Sequence, residues 1–402
     1  MDFLEFKRAM HDAVAFEFTA KLQAAGGTNH KVFPPTYLND DPSTKAKIKA
    51  RYARETRIMD GAPVPTILLD SIPSQANRME QALLSAIRDD QTDFTLPVFS
   101  VTIPEHGTVT SVDAPHRALD VIFLDSDIEG TSLLNTDFGK KLANAVPANA
   151  TALYQYAPTA LVFGMWNSHS GKAGGRFARI VASEIIGWGN IVEGIKTSSR
   201  IDPLEIGNKS ELYKVEGTER WVFEKPKGAK KAVSPATVGH GNIPPTINEA
   251  TGGVSLDHIQ QQTTISILAL QALHFPDDSG TVAKDRDEAG RAVLAALALV
   301  AANLQFSQGY QLRSGCLLQA LASPVWKVLG RIAADDREFA LTLEESVAIF
   351  QQAVTAGADF GLAWGADMPT LMPSAKLMKL VQESDTHRIF DLEPDQASGQ
   401  EG

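Results

Sequence analysis

The feature that most constrains this sequence is a long segment that interrupts its apolar patterns. Residues 196–253 are rich in Lys, Glu, Gly and Pro and contain few periodically spaced apolar residues. Segments this long that lack structure of their own within a compact domain are usually functional or disordered. We therefore predict that residues 196–253 form an inserted lobe, or a long hairpin, with a mobile basic tip. The main domain is then built from residues 1–195 and 254–385.

The sequence on either side of this segment mixes helical and β patterns. The predicted helices are residues 2–16, a helix capped by Ser71 or Ser74 that runs to Arg88, Arg286–Leu304, Thr342–Thr355 and Pro373–Gln382. The predicted strands are Phe18–Gln23, Val64–Leu69, Thr159–Trp166, Tyr310–Leu312 and a β-rich run, Thr263–Phe275. Because strands and helices do not alternate steadily, the pattern favours an α+β domain with a mainly antiparallel sheet.

The composition of the chain indicates the cellular compartment in which the protein works. The chain has 402 residues, of which 44% are hydrophobic, enough for a sizeable core. Its single cysteine, Cys316, excludes an internal disulfide and fits a reducing compartment as a small buried residue. The N-terminus lacks a signal-peptide pattern, and the longest apolar run, Ala292–Ala302, is shorter than a bilayer span. We predict a cytoplasmic protein without a membrane segment.

Charge is unevenly distributed along the chain. The net charge of −11 taken alone argues against a nucleic-acid-binding protein. However, two stretches are basic: Lys45–Arg57, which lies within a loop-rich segment at residues 31–60, and Lys225–Lys231. The tail at 386–402 is acidic, and we predict that it is disordered. These basic runs are either solvated loops or parts of a locally positive groove, and composition does not choose between them.

Three polar groups could bind a nucleic acid. Ser71–Glu80 opens a helix, where free backbone N–H groups can hold a phosphate, although an ordinary helix cap would look the same. Pro115–Arg117 places His beside Arg after a proline, and a simple surface turn is the other reading. In the third group, Trp166 precedes a glycine-rich turn and several basic residues, the usual means of stacking a base and holding its phosphate. Core packing is the alternative for Trp166.

Several other chemistries lack their motifs. The sequence contains no GxxxxGK[ST] phosphate loop, no HExxH and no GxSxG elbow. Its nine histidines do not show the spacing of metal ligands. We therefore predict no cofactor, no metal and no catalytic residue.

A set of short pieces then suggests a family. The pieces occur in chain order and are Gly26-Gly27 with Lys31–Tyr37, Leu68–Glu80, Pro115–Arg117, Phe163–Trp166, Arg176–Gly187, Gly239–Pro245 and Gly309–Ser314. Together they resemble the backbone subunit of type I-G (formerly I-U) CRISPR effector complexes, or Cascade, a member of the RAMP superfamily. The likeness extends over roughly residues 1–385 and is weakest at 196–235.

This resemblance implies a fold, partners and a mode of action. It implies a ferredoxin-like (RRM-like) palm with thumb and finger lobes made by insertions. Copies would stack head to tail on a crRNA, an open assembly, and present it for pairing with target DNA. The other expected partners are further effector-complex subunits and a recruited helicase–nuclease, which would do the cutting.

The resemblance and the basic groups together give the expected RNA-binding residues. They are Gln75, Asn77, Arg78, His116, Arg117, Trp166, Ser168, Lys172, Arg176, Arg179, Lys225, Lys227, Lys230 and Lys231. Two alternatives stay open. One is a RAMP-type endoribonuclease that cuts target RNA with a divalent metal and a loop aspartate, Asp113 or Asp202. The other is an unrelated soluble enzyme.

Overall fold

The structure is a computed structural model of the chain. It describes residues 1–38, 50–89, 95–166, 175–207, 209–214, 221–227, 231–249, 251–364 and 368–388. The α-helices are α1 Phe3–Asp12, α2 Ile72–Arg88, α3 Val121–Leu124, α4 Asp137–Ala143, α5 Thr151–Tyr156, α6 Pro158–Phe163, α7 Ile267–Leu270, α8 Lys284–Ser307, α9 Leu343–Asp359 and α10 Ala375–Arg388. Short 3-10 helices lie at Arg117–Leu119, Leu133–Asn135, Pro235–Val238 and Ala333–Asp335.

The strands are numbered in chain order. They are β1 Ala15–Ala24, β2 Thr36–Leu38, β3 Ala50–Tyr52, β4 Arg54–Met59, β5 Ala62–Asp70, β6 Ser100–Ile103, β7 Gly107–Thr110, β8 Ser126–Ile128, β9 Thr131–Ser132, β10 Met165–Trp166, β11 Arg176–Phe177, β12 Val181–Trp188, β13 Val192–Glu193, β14 Lys196–Arg200, β15 Tyr213–Lys214, β16 Trp221–Val222, β17 Ile243–Asn248, β18 Val254–Ser255, β19 His258–Ser266, β20 Tyr310–Arg313, β21 Cys316–Ala320, β22 Val325–Leu329, β23 Arg337–Phe339 and β24 Met372–Pro373.

The main sheet is antiparallel and has the strand order of a ferredoxin-like fold. Along it lie β20, β21, β1, β19, β12, β5 and β4, while β22 pairs with the first half of β1 and with β23. Strand β19 lies between β1 and β12, and β1 lies between β19 and β21/β22. With α2 in the first crossover and α8 in the second, this gives two interleaved βαβ units. The α+β fold with an antiparallel sheet is therefore confirmed.

One face of the sheet is covered by helices. In β1, Phe16, Phe18 and Leu22 are buried while the alternate residues are partly or fully exposed, the period-2 pattern of a strand with one wet face. The ring of Phe18 packs edge-on against Phe306 of α8, with ring centroids 5.9 Å apart. The buried face therefore points toward α8 and the neighbouring α2.

Helix α8 is the centre of the core. It contacts α2, α6, α7, α9 and β19, and its residues from Ala292 to Gln305 are all buried. By length and composition it could cross a membrane, but 83% of its apolar stretch is buried inside the protein. A helix that is apolar all round and enclosed by other elements is a core helix.

Two strand predictions are wrong in part. Thr159–Trp166 forms helix α6 from Pro158 to Phe163 and only its last two residues are a strand. Pro158 occupies the first helical turn, where proline is well tolerated, and a short buried apolar run fits a helix as well as a strand. The β-rich run Thr263–Phe275 leaves the sheet after Ser266, whose side chain caps α7 by accepting a hydrogen bond from the Ala269 N–H.

The predicted insertion leaves the sheet between two neighbouring strands. Strands β12 and β19 pair directly, and the chain between them continues as the short ladders β13–β18 and β14–β17. Residues 196–253 are thus an excursion from adjacent strands of the palm. Its described part holds only short strands and one 3-10 helix.

A buried carboxylate joins the palm to α2. The Asp70 side chain, at the end of β5, has no exposed surface and forms ion pairs with Arg78 of α2 (2.9 Å) and Arg313 of β20 (3.3 Å). It also accepts a 2.6 Å hydrogen bond from the Gln75 amide. Arg78 donates onward to the Leu312 carbonyl, so one carboxylate fixes three segments together.

Replacing this carboxylate should destabilise the fold. Asp70→Asn leaves Arg78 and Arg313 facing a neutral amide, and we expect the free energy of unfolding to fall by about 3 kcal/mol, at the low end for breaking a buried pair because both arginines are partly exposed. Urea unfolding measures this loss. The exposed Asp278→Asn is the matched control and should change stability by less than about 0.5 kcal/mol. Equal stability of the two variants would contradict the structural role of Asp70.

Candidate nucleic-acid interface

A cleft joins two of the sequence groups that were predicted separately. Its volume is about 340 Å³. The residues that line it come from three short stretches of the chain and are Pro115, His116, Arg117, Phe163, Gly164, Met165, Trp166, Phe177 and Arg179. The fold therefore brings His116 and Arg117 together with Trp166 and Arg179.

The wall that carries Trp166 depends on a sharp turn at Gly164. Helix α6 ends there with φ 82° and ψ 154°, a backbone conformation that glycine adopts at little cost. A Cβ at Gly164 would also lie 3.1 Å from both the backbone nitrogen of Arg179 and the backbone oxygen of Phe177. The chain then forms the two-residue ladder β10–β11, which places Trp166 opposite Arg176.

Arg117 forms the floor of the cleft. Its guanidinium pairs with both carboxylate oxygens of Glu80 on α2, at 2.6 and 2.8 Å, and donates to the Gly164 carbonyl at 2.8 Å. The residue has φ +51°, which is uncommon for a residue other than glycine. Such a backbone persists only where the surroundings hold it, and here three hydrogen bonds do so.

The cleft carries an excess of positive charge. Glu80 pairs with Arg117, whereas Arg179, which lines the cleft, and Arg176, which lies over the Trp166 ring, form no ion pair among the described residues. Burial, and then the proximity of Arg117, lowers the pKa of Arg179 although Glu80 opposes the shift, so a further nearby anion would stabilise this guanidinium. A phosphate group would supply that negative charge.

Trp166 is an exposed aromatic platform. Its side chain is 52% exposed, and the Arg176 guanidinium lies 5.3 Å from the centre of its ring. Because it is this exposed, Trp166 is not a core residue, so core packing does not explain its position. An exposed indole beside arginines is suited to stacking a base while the cations hold the backbone.

The predicted site at the start of α2 needs correction. Gln75 is fully buried and bonds to Asp70, Ser183 and Gln261. Arg78 is committed to Asp70 and to backbone carbonyls. Buried polar groups with satisfied hydrogen bonds are structural, so Gln75 is not placed to hold RNA. The Arg78 side chain is partly exposed, but its guanidinium is bonded within the protein. Asn77 points outward and is exposed.

The other predicted residues lie outside the cleft lining. Lys225, Lys227 and Lys231 are exposed on the inserted lobe. Ser168, Lys172 and Lys230 lie outside the described residues, as do Lys45, Lys47 and Lys49 of the first basic run. In the rest of that run, Arg54 pairs with Glu193 and Arg57 with Glu184, so these two charges are already partnered.

The loop aspartates considered for a nuclease both serve local structure. Asp113 accepts hydrogen bonds from the Thr110 backbone N–H (2.6 Å) and hydroxyl (2.8 Å). Asp202 accepts from the backbone N–H groups of Gly241 and Leu204, which lower its pKa. Within the described ranges, no three His, Cys, Asp or Glu side chains lie close enough to hold a metal ion.

Sequence reasoning missed Glu80 as part of this site. Glu80 lies well past the first turn of α2 and is buried against Arg117. A signal was present: Ala76, Met79 and Leu83 share the apolar face of α2 with Glu80. Because a buried carboxylate needs a cation, that spacing predicts an arginine partner without naming it.

Comparison with known proteins supports a CRISPR-associated role. Residues 16–191 match the family model described as CRISPR-associated protein GSU0053 (Cas_GSU0053). The matched region is less than half of the chain and includes every residue that lines the cleft. No curated protein matches the chain significantly.

The Glu80–Arg117 pair predicts a pH-dependent stability effect. Burial raises the pKa of Glu80 from 4.5 to about 7 although Arg117 opposes the shift. The raised pKa means that the folded state favours the protonated Glu80 carboxyl. The contribution of this group to the free energy of unfolding is therefore fully present below pH 4.5 and is lost as pH rises through 7. Arg117→Ala removes the opposing charge and raises the pKa of Glu80 further.

We therefore expect Arg117→Ala to cost about 3–5 kcal/mol at pH 8, where it strands a buried carboxylate, and clearly less at pH 5. Urea unfolding at the two pH values measures the difference. In a Glu80→Gln background the cost of Arg117→Ala should be the same at both pH values. A pH-independent cost in the wild-type background would contradict the pairing.

Proposed function

We propose that this protein is the guide-RNA-binding backbone subunit of a type I-G CRISPR effector complex. In this proposal its copies assemble head to tail along a crRNA in the cytoplasm. They expose the guide for pairing with target DNA in antiviral defence. The subunit binds without cutting, and degradation is left to a recruited helicase–nuclease. Other subunits of the effector complex are its remaining partners.

The observation that carries the proposal is the composition of the cleft. An exposed indole, an exposed histidine and Arg179, which forms no ion pair within the described part of the chain, line one concave site, and the Arg176 guanidinium lies over the indole ring. This combination provides stacking for a base and charge for its phosphate but no base-edge readout. A subunit that must hold any guide sequence needs such backbone-directed binding, because sequence is read by base pairing.

The net charge of −11 is compatible with this proposal because much of the acidic excess lies in the last part of the chain. The last part of the chain, from residue 332 onward, has 13 acidic and four basic residues. None of the residues that line the cleft is acidic. Two carboxylates contact lining residues: Glu80 is buried and paired with Arg117, and Asp120 accepts a hydrogen bond from the His116 backbone N–H.

The first test is to express the chain in bacteria with a CRISPR array, its processing subunit and the partner subunits, and to extract the bound nucleic acid. The proposal predicts a discrete RNA of one spacer with repeat flanks, protected from nuclease by many copies of the protein. Purified protein that carries no nucleic acid, and binds none at low salt, would reject it. Metal-dependent cutting of target RNA at regular intervals would instead support the endoribonuclease alternative.

Cleft substitutions should separate stacking from charge. Trp166→Ala should weaken binding of single-stranded RNA about 5- to 150-fold, since stacking contributes ~1–3 kcal/mol per base, with little change in salt dependence. Arg176→Ala and Arg179→Ala should each reduce the slope of log K against log salt by about 0.7. Fluorescence anisotropy across a salt series measures both quantities.

The control is Arg331→Ala, which removes an exposed arginine outside the cleft lining. It should leave both affinity and slope at the wild-type values. Equal losses for Arg331→Ala and the cleft variants would mean that binding is a general charge effect rather than a property of this cleft.

The inserted lobe has its own test. If Lys225–Lys231 touches guide or target, replacing Lys227, Lys230 and Lys231 together with Ala should lower the salt slope by up to about 2, one phosphate contact per lysine. An unchanged slope would mean that these lysines do not contact phosphates, and it would not bear on the proposed role of the cleft.

A further inference from the structure

The sequence piece Lys31–Tyr37 has no part in the cleft, yet its first residue makes contacts far away in the chain. The Lys31 ammonium donates to the Ile195 carbonyl at 2.7 Å and to the Gly252 carbonyl at 2.9 Å. Ile195 and Gly252 lie on the outgoing and returning legs of the insertion. One side chain therefore bridges both legs where they leave the palm.

The two legs come unusually close at this point, which we call the root of the lobe (residues 194–195 and 252–253). A Cβ on Gly252 would lie 2.0 Å from the Gly194 oxygen, and Gly253 has φ +83°. Only glycine allows two backbones to approach so closely. The Gly194 N–H donates to the Gly253 carbonyl at 2.8 Å, which closes the root.

The residues around Lys31 attach the root to the palm. Val32 exchanges two 2.8 Å backbone hydrogen bonds with Val254. The Lys31 ammonium lies 5.1 Å from the centre of the Phe33 ring, and the Phe33 N–H donates to Gly315 in the β20–β21 turn at 3.1 Å. Residues 31–33 are thus hydrogen-bonded both to the returning leg of the lobe and to the main sheet.

We propose that Lys31 is a positioning residue that fixes the direction in which the inserted lobe leaves the palm, and so sets the length of RNA that each copy covers. The second clause rests on the proposed function, whereas the first does not. A lysine whose donors are used by carbonyls of both legs is poorly placed to hold a phosphate. Its contribution to RNA binding should therefore be geometric rather than electrostatic.

Lys31→Met keeps the length of the aliphatic chain and removes the donors. We expect backbone amides in residues 192–200 and 243–255 to exchange hydrogen about tenfold to a hundredfold faster, because two hydrogen bonds from a charged group are lost. Lys31→Arg should restore most of the protection. Lys21→Met, an exposed lysine on β1, is the matched control and should leave exchange unchanged.

Lys31→Met should also weaken RNA binding and make the length of RNA that is protected from nuclease less uniform. The slope of log K against log salt should stay at the wild-type value. Gly252→Ala, which forces the legs apart without altering charge, should have the same effect. Unchanged exchange in Lys31→Met would overturn the proposal, as would a salt slope that falls by about 0.7, which marks a phosphate contact. If the wild-type protein binds no RNA but exchange responds as expected, the proposed function fails and the positioning role stands.

Discussion

The structure depends on keeping buried carboxylates neutralised. Asp70 and Glu80 both lie in or next to α2, both are almost without solvent, and each is paired with arginine from a distant part of the chain. An unpaired buried charge costs several kcal/mol, so the three arginine partners cannot move away without their carboxylates. Helix α2 is consequently held to the palm at its first turn and to the cleft floor about two turns later.

This arrangement links fold and site through one helix. Asp70 ties the start of α2 to β20, and the Gln75 amide extends the same network to Gln261 on β19. Glu80, further along α2, holds Arg117 in its left-handed conformation under the wall that ends at Gly164. The cleft is therefore preorganised by contacts to the core, and the arginine at its floor has a structural role.

The sequence allowed the main elements to be predicted where periodicity was long and clear, as for α2, α8, α9 and β1. It failed at Thr159–Trp166 because a short apolar run has the same pattern in a buried helix and a buried strand. The cleft residues His116, Arg117, Trp166 and Arg179 were recognised by type, but their meeting depends on tertiary packing that no local pattern encodes.

The errors at the site have a common physical cause. Gln75 and Arg78 were expected to face RNA because polar residues at a helix start often bind phosphate, but here the same donors satisfy a buried aspartate. From sequence, a polar residue that serves the core is indistinguishable from one that serves a ligand. Burial for Gln75 and hydrogen-bond partners for Arg78 make the difference, and both are properties of the fold.

The described contacts also bear on the regular spacing that the proposed RNA-bound assembly would need. A chain with two RNA contacts gains affinity from their linkage only if the distance between them matches the ligand. In this protein the cleft is fixed by Glu80 and Gly164, while the root of the lobe is fixed by Lys31 and its paired glycines. Arg78 of α2 donates to Leu312 of β20, and Phe33 donates to Gly315 in the turn after β20, so the cleft and the root are attached to the same edge of the main sheet. In the proposed assembly, this shared attachment would let every copy repeat the same geometry along a strand of any sequence.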